Sequence, residues 1–135
     1  MGKGEHFSDM ETLQLIVDHC NKVEAVVDFL GKDFQKYEQS WWLKDIISMN
    51  ILQIGERIHS NLTQDFKDAH PSVPWGDYIG VRNRFAHQYF TAADEIVWET
   101  ATTDIPMLSK FCVGILKEKG MEIPEKEPIT ANIGN

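Results

Sequence analysis

Hydrophobic residues recur every three or four positions along much of the chain, the spacing that puts them on one face of an α-helix. The first such stretch follows Ser8-Asp9-Met10-Glu11, which has the pattern of a capping box, and it stops at Gly31. Its apolar positions are Met10, Leu13, Ile16, Val17, Cys20, Val23, Val27 and Leu30. The pattern predicts a first helix that Gly31 ends.

A second, longer helix is predicted from near Asp33 onward. Its apolar stripe is Phe34, Tyr37, Trp41, Ile47, Ile51, Ile54, Ile58 and Leu62, and a second set, Trp42, Leu43, Ile46 and Met49, widens it. So broad an apolar surface is typical of a helix that neighbours cover on most sides. Gly55 within it indicates a close helix crossing.

Shorter elements follow. A helical turn is predicted for 63–69, a loop for 70–76, and helices for 77–89, 94–98 and 103–120. The chain shows no convincing strand pattern and no internal repeat, so it is predicted to be all-α, a bundle of four or five helices. Residues 1–120 would form the domain, and 121–135, rich in Pro and Glu, a flexible C-terminal tail.

Charge, hydropathy and cysteine content limit the classes of function that the chain can have. The chain has 135 residues and a formal net charge of −8, which argues against broad nucleic-acid binding but permits a local cationic site or a basic protein partner. No apolar run approaches membrane-spanning length, and the start has no signal-peptide core. Cys20 and Cys112 lack ligand spacing and are interpreted as reduced core thiols, which favours a cytoplasmic protein.

The stretch Arg82-Asn83-Arg84-Phe85-Ala86-His87-Gln88-Tyr89 carries the candidate chemistry. Arginine offers a permanent charge that matches phosphate oxygens, and histidine titrates near neutral pH. On a regular helix Asn83 and His87 share a face, as do Arg82 and Tyr89, whereas Arg82 and His87 are about 140° apart. The spacing alone also fits a structural ion pair for Arg82, a capping or core His87 and a packing Tyr89. Arg84 is interpreted as a solvated helix charge.

Two other patterns have simpler explanations. Glu56 and His59 have the Glu-x-x-His spacing of di-iron bundles, but such sites need a second copy and further carboxylates, so a surface histidine beside a solvated glutamate is favoured. The tryptophans could stack on bases, yet at helical spacing among aliphatic residues they are more typical of a core or a dimer interface; they are Trp41, Trp42, Trp75 and Trp98. No metal site and no cofactor are predicted.

Several blocks together resemble the HepT-like toxins of the HEPN superfamily. They are Leu52-Gln53-Ile54-Gly55-Glu56, then His70-Pro71-Ser72-Val73-Pro74-Trp75, then the Arg82-Asn83…His87-x-Tyr89 signature, and finally Asp94…Val97-Trp98 with Asp104-Ile105-Pro106-x-Leu108. The blocks occur in order and cover nearly all of the chain.

The resemblance implies a dimeric helical bundle with a composite cleft at its two-fold axis, acting as a metal-independent endoribonuclease. It also implies a neutralising partner, a nucleotidyltransferase antitoxin of the MntA type that attaches AMP to the tyrosine of the signature, here Tyr89. Arg82, Asn83 and His87 would then be the catalytic residues and RNA, whether tRNA or mRNA, the substrate.

The expected chemistry is attack by the RNA 2′-hydroxyl on its own phosphate. His87 would transfer a proton, Arg82 would neutralise the phosphorane, and Asn83 would orient His87 or a phosphate oxygen. The product would end in a 2′,3′-cyclic phosphate. DNA, which lacks the 2′-hydroxyl, would not be cleaved. The alternative is a catalytically inert HEPN-like binding or assembly subunit that presents Tyr89 to the same nucleotidyltransferase.

Overall fold

The computed structural model describes residues 7–80 and 93–130. In these two ranges every regular element is helical and there is no strand, so the predicted all-α class is confirmed. The helices are α1 (Asp9–Phe29), α2 (Phe34–Glu38), α3 (Trp41–Ser60) and α4 (Gln64–Ala69), then α6 (Asp94–Glu99) and α7 (Ile105–Glu118). Residues 75–80, where the first described range ends, are also helical and are named α5.

Helix α1 begins and ends as its sequence predicts. The hydroxyl of Ser8 accepts from the backbone of Glu11, and the Glu11 carboxylate accepts from the backbone of Ser8, so the capping box is formed. At the other end Gly31 has a φ of 65°, in the left-handed region that glycine adopts without strain. The first helix and its glycine stop are therefore confirmed.

The single long helix predicted from Asp33 is wrong, because the chain breaks at Ser40 into α2 and α3. Ser40 leaves the helical conformation, with φ −108° and ψ 83°, and its hydroxyl donates to the carbonyl of Lys36. Serine competes with the helical backbone for such bonds, which favours an interruption. The apolar stripe continues across the break because both helices pack on the same core.

The two helices predicted for 94–98 and 103–120 are instead one continuous helical path. A π-helical segment, Thr100–Asp104, joins α6 to α7. Pro106 lacks an N–H and its ring crowds the carbonyl of Thr102, four residues earlier, so a widened turn fits there better than an α-turn. The hydroxyl of Thr100 donates to the carbonyl of Ile96 at 2.9 Å, which gives one carbonyl of this path an additional partner.

The core lies between α1, α3 and α7. Ile16 and Val23 of α1, Ile54 of α3 and Leu108 of α7 are fully or almost fully buried. Cys20 and Cys112 are free thiols within this core, and burial raises the pKa of the Cys112 thiol to about 12. Both cysteines therefore act as small apolar residues, as predicted.

The smaller helices are tied to this core by side-chain bonds. The backbone N–H and the hydroxyl of Thr63 donate to the two oxygens of the Asp9 carboxylate at 2.8 and 2.7 Å, which joins the start of α4 to the start of α1. Thr63 also caps α4 by accepting from the N–H of Phe66. The short helix predicted for 63–69 is confirmed.

Residues 121–130, the C-terminal segment, form no regular secondary structure and contact α1. The sequence predicted a flexible tail here. The described part of it contacts α1 through hydrogen bonds, and Met121, Ile123 and Ile129 pack against the core. The division of the chain at residue 120 remains a prediction.

Candidate active site

The four predicted site residues, Arg82, Asn83, His87 and Tyr89, lie outside the described residues, as does Arg84. They belong to the segment 81–92, which follows Gly80 of α5 and precedes Ala93 in the sequence. The structure describes the elements on either side of this segment in the chain.

Trp75 fixes the start of α5. It is buried, and its indole N–H donates to the carbonyl of His70 at 3.0 Å. Its ring lies edge-on to the ring of Phe111 on α7, with centroids 5.9 Å apart. Pro74 lies directly before the first helical residue, where its missing N–H removes no helical hydrogen bond. The aromatic contacts therefore hold α5 against α7.

Tyr78 fixes the end of the described part of α5. Its hydroxyl donates to the backbone carbonyl of Asp104 at 3.1 Å, where the π-helical segment meets α7. Burial, and secondarily the carboxylate of Asp104, raises the pKa of this phenol, so it stays protonated and remains a donor. The chain is thus anchored at Tyr78, three residues before the segment 81–92 begins.

Lys44 and Trp98 fix α6, the helix that follows the segment in the chain. The ammonium of Lys44 on α3 lies 3.1 Å from a carboxylate oxygen of Asp94, the first residue of α6. Trp98 stacks obliquely on Tyr37 of α2, with ring centroids 4.9 Å apart. Helix α6 is therefore held by both α2 and α3.

An open groove of about 510 Å³ lies between α5 and the π-helical segment. Three carboxylates line it, those of Asp77, Glu99 and Asp104. The pKa of Asp104 is raised by partial burial and then by the negative charges of Glu99 and Asp77. Such a groove repels phosphate, so we do not interpret it as an RNA-binding surface. Its charge is opposite in sign to that of Arg82 and Arg84.

Within 7–80 and 93–130, no group of three or more His, Cys, Asp or Glu side chains is placed to hold a metal ion. Glu56, the partner of His59 in the Glu-x-x-His spacing, accepts a hydrogen bond of 2.6 Å from the hydroxyl of Ser60.

In the described part of the chain, no helix is long and apolar enough to cross a membrane.

His19, to which the sequence assigned no role, takes part in a polar contact between helices. Its Nδ1 lies 2.9 Å from Oδ1 of Asn50, which joins α1 to α3. Burial lowers the pKa of His19, the Asn50 bond opposes this, and the charges of Lys22 and Arg57 lower it further. No spacing rule connects residues so far apart in the sequence, so only the fold could reveal this pair.

The four tryptophans divide into two kinds. Trp75 and Trp98 pack on other aromatic rings, as predicted for core residues. Trp41 and Trp42 lie at the start of α3, where 73% of Trp41 and 37% of Trp42 are exposed. Met49, two turns further along α3, is 48% exposed. The first half of α3 thus carries large apolar side chains that the described residues leave open to solvent.

Comparison with known proteins places the chain among ribonuclease-like sequences. A family model described as "Ribonuclease HepT-like" matches residues 18–115, which include the segment 81–92. A putative RNase of Methanocaldococcus jannaschii is 33% identical over 104 residues, covering 76% of this chain and 94% of that protein. No solved structure matches.

Two further relatives match over a shorter range. A putative RNase of Caldanaerobacter subterraneus subsp. tengcongensis is 38% identical over 66 residues, 49% of this chain and 58% of that protein. A probable ribonuclease HepT of Thermococcus cleftensis is 35% identical over 57 residues, 42% of this chain and 52% of that protein. These matches span little more than half the length of the two relatives.

Proposed function

We propose that this chain, which belongs to the HepT-like ribonuclease family, is an endoribonuclease. The observation that carries the proposal is the position of the Arg82-Asn83…His87-x-Tyr89 signature inside the region that matches the family. Three relatives named as ribonucleases support the same activity.

The proposed reaction starts with the 2′-hydroxyl of the RNA, which attacks the adjacent phosphorus while His87 accepts its proton. The bond from phosphorus to the 5′-oxygen breaks, and a protonated histidine returns a proton to that leaving oxygen. Arg82 stabilises the added negative charge of the phosphorane, and Asn83 orients His87 or a phosphate oxygen. One product carries a 2′,3′-cyclic phosphate and the other a free 5′-hydroxyl.

This chemistry needs no metal ion, because the nucleophile belongs to the substrate. The guanidinium of Arg82 supplies the charge that a cation supplies in other nucleases, and its planar fork matches two phosphate oxygens. DNA lacks the 2′-hydroxyl and is expected to resist cleavage.

We propose that the active form is a homodimer whose two copies of the signature share one cleft. The exposed Trp41, Trp42 and Met49 on α3 support an association surface, since large apolar side chains gathered on one helix are typical of interfaces. Two copies of Arg82 in one cleft would make it locally cationic despite the net charge of −8.

We propose that the chain is the toxin of a toxin–antitoxin pair and that its partner is an MntA-like nucleotidyltransferase. The partner would attach AMP to the hydroxyl of Tyr89, two residues after His87. The added phosphate would compete with RNA for Arg82, and its bulk would obstruct the cleft.

The activity is tested by incubating the purified chain with total RNA and with single-stranded DNA of matched length, each with and without a chelator. We expect the RNA to be cleaved and the DNA to remain intact. The rate of RNA cleavage should be the same with and without the chelator, and the new 3′ end should carry a cyclic phosphate. Intact RNA after prolonged incubation, or cleavage that the chelator abolishes, would contradict the proposal.

A further inference from the structure

The C-terminal segment contacts α1 through its backbone. The side-chain amide of Gln14 donates to the carbonyl of Glu122 at 2.8 Å, and that of Asn21 donates to the carbonyl of Pro124 at 3.1 Å. Gln14 and Asn21 are two helical turns apart and share a face of α1. Carbonyls two residues apart in an extended chain point the same way, so one row of amides can bind both.

A third contact between the C-terminal segment and α1 is ionic. The ammonium of Lys126 lies 2.9 Å from a carboxylate oxygen of Asp28 and 3.6 Å from one of Glu24. Asp28 lies two further turns beyond Asn21, and Lys126 lies two residues beyond Pro124. Alternate residues of the C-terminal segment, Glu122, Pro124 and Lys126, thus contact successive positions of one stripe on the helix, a pattern typical of an extended chain. The hydrogen bond to Asp28 raises the pKa of Lys126.

Space remains along the segment. One cavity, of about 550 Å³, lies between its residues 122–125 and the first half of α1, and both polar side chains, such as Gln14 and Asp18, and the apolar Phe7 and Leu15 line it. A second, of about 310 Å³, lies between residues 125–129 and the apolar side chains of Ala25, Val26 and Ile46. The segment therefore leaves space along α1 that it does not fill.

We propose that this face of α1, formed by Gln14, Asn21, Glu24 and Asp28, is a binding groove for an extended peptide carrying a lysine or arginine. The C-terminal segment is its intramolecular occupant. The amides bind backbone carbonyls, which every peptide has, while the two carboxylates select a cation. None of these four residues belongs to the Arg82-Asn83…His87-x-Tyr89 signature, so the proposal does not depend on ribonuclease activity.

The occupant is separable from the helical bundle. The hydrogen bond from Gln14 and the ion pairs of Lys126 are exposed to solvent, where such contacts are individually weak. Ile123 and Ile129 are only partly buried. The segment can consequently leave the groove without unfolding α1, α3 and α7.

The test uses the full chain with Ile123→Asp and Lys126→Glu, which weakens the occupant and leaves the groove intact. A dye-labelled peptide with the sequence of residues 121–130 is titrated, and its fluorescence anisotropy is recorded. We expect saturable binding to this opened variant and at least about 10-fold weaker binding to the unmodified chain, whose groove holds a tethered competitor.

Charge exchange distinguishes this groove from other surfaces. Adding Asp28→Lys to the opened variant should weaken binding of the peptide at least about 10-fold, and a peptide with glutamate in place of Lys126 should restore it. Asp68→Lys, the same change at an exposed position on α4, is the control and should have no effect.

Three results would overturn the proposal: no binding to the opened variant, binding that Asp28→Lys leaves unchanged, or loss of the helical circular dichroism signal in the opened variant. The last would show that the segment is an integral part of the bundle and not an exchangeable occupant.

Discussion

The ammonium of Lys44 and the carboxylate of Asp94 form an ion pair of 3.1 Å that joins the start of α3 to the start of α6. Asp94 comes two residues after the segment that carries Arg82, Asn83, His87 and Tyr89. The pair therefore fixes the first residue of the helix that follows that segment in the chain. With 27% and 32% of the two side chains exposed, it is partly shielded from solvent.

We expect a measurable coupling between these two residues. In a double-mutant cycle of Lys44→Met and Asp94→Asn, the coupling in the free energy of unfolding should be about 0.5 kcal/mol, in the usual range for partly exposed pairs. Urea denaturation measures it. The control is Lys22 with Asp18, a more exposed pair on α1 (57% and 48%), whose coupling should be smaller. A coupling of zero for Lys44 and Asp94 would contradict this role.

The burial of His19 between α1 and α3 predicts a pH-dependent stability. Burial lowers the pKa of folded His19 below the unfolded value of about 6.5, so the folded state favours the neutral ring. The stabilisation is present above pH 6.5 and is lost as the pH falls from 6.5 through the folded pKa. Lys22 and Arg57 strengthen the effect and Asp18 opposes it.

Urea denaturation between pH 7.5 and 5.5 tests this. The chain should lose more stability on acidification than His19→Gln does, because glutamine does not titrate. His59→Gln, at an exposed position on α3, is the control and should keep the slope of the unmodified chain. Identical slopes for the unmodified chain and His19→Gln would show that His19 has no part in the acid response.

The exposed apolar residues of α3 predict self-association. We expect the chain to sediment as a dimer at micromolar concentration and Met49→Glu to shift it towards monomer, because a charge is costly in an apolar interface. Met107, on α7 and 66% exposed, provides the control: Met107→Glu should leave the dimer intact. Monomer alone for the unmodified chain would argue against both the interface and the composite cleft.

Tyr89 is predicted to be the point of control by the partner enzyme. After co-expression with the proposed MntA-like nucleotidyltransferase, mass spectrometry should find additions in AMP units on the peptide that contains Tyr89. Tyr89→Phe keeps the ring but lacks the acceptor hydroxyl, so it should escape neutralisation and remain toxic. If the partner neutralises Tyr89→Phe as well as the unmodified chain, control operates through complex formation alone.

The fold was predictable where local chemistry decides it. Ser8 and Glu11 cap α1 through groups three residues apart, and Gly31 ends the helix by its own backbone preference. The break at Ser40 was missed because the apolar stripe of α2 and α3 runs across it. The continuous path through the π-helical segment was missed because Thr103, Asp104 and Pro106 resemble an ordinary helix start.

The candidate site was predictable in identity but not in its surroundings. Arg82, His87 and Tyr89 stand close together in the sequence, so a motif can reveal them. The contacts that fix the ends of α5 and α6, from Tyr78 to Asp104 and from Lys44 to Asp94, join residues distant in the chain. No periodicity or spacing encodes such pairs, and the same is true of the contact between Asn21 and the C-terminal segment.

Cleavage of RNA by His87→Ala, compared with the unmodified chain, tests the central claim most directly. Single-turnover rates on one RNA, measured in the presence of a chelator, should fall at least about 10²-fold in His87→Ala, the lower range for loss of a general acid–base. His59→Ala, a change at an exposed histidine of α3, should retain the full rate. Equal rates for His87→Ala and the unmodified chain would contradict the proposed mechanism.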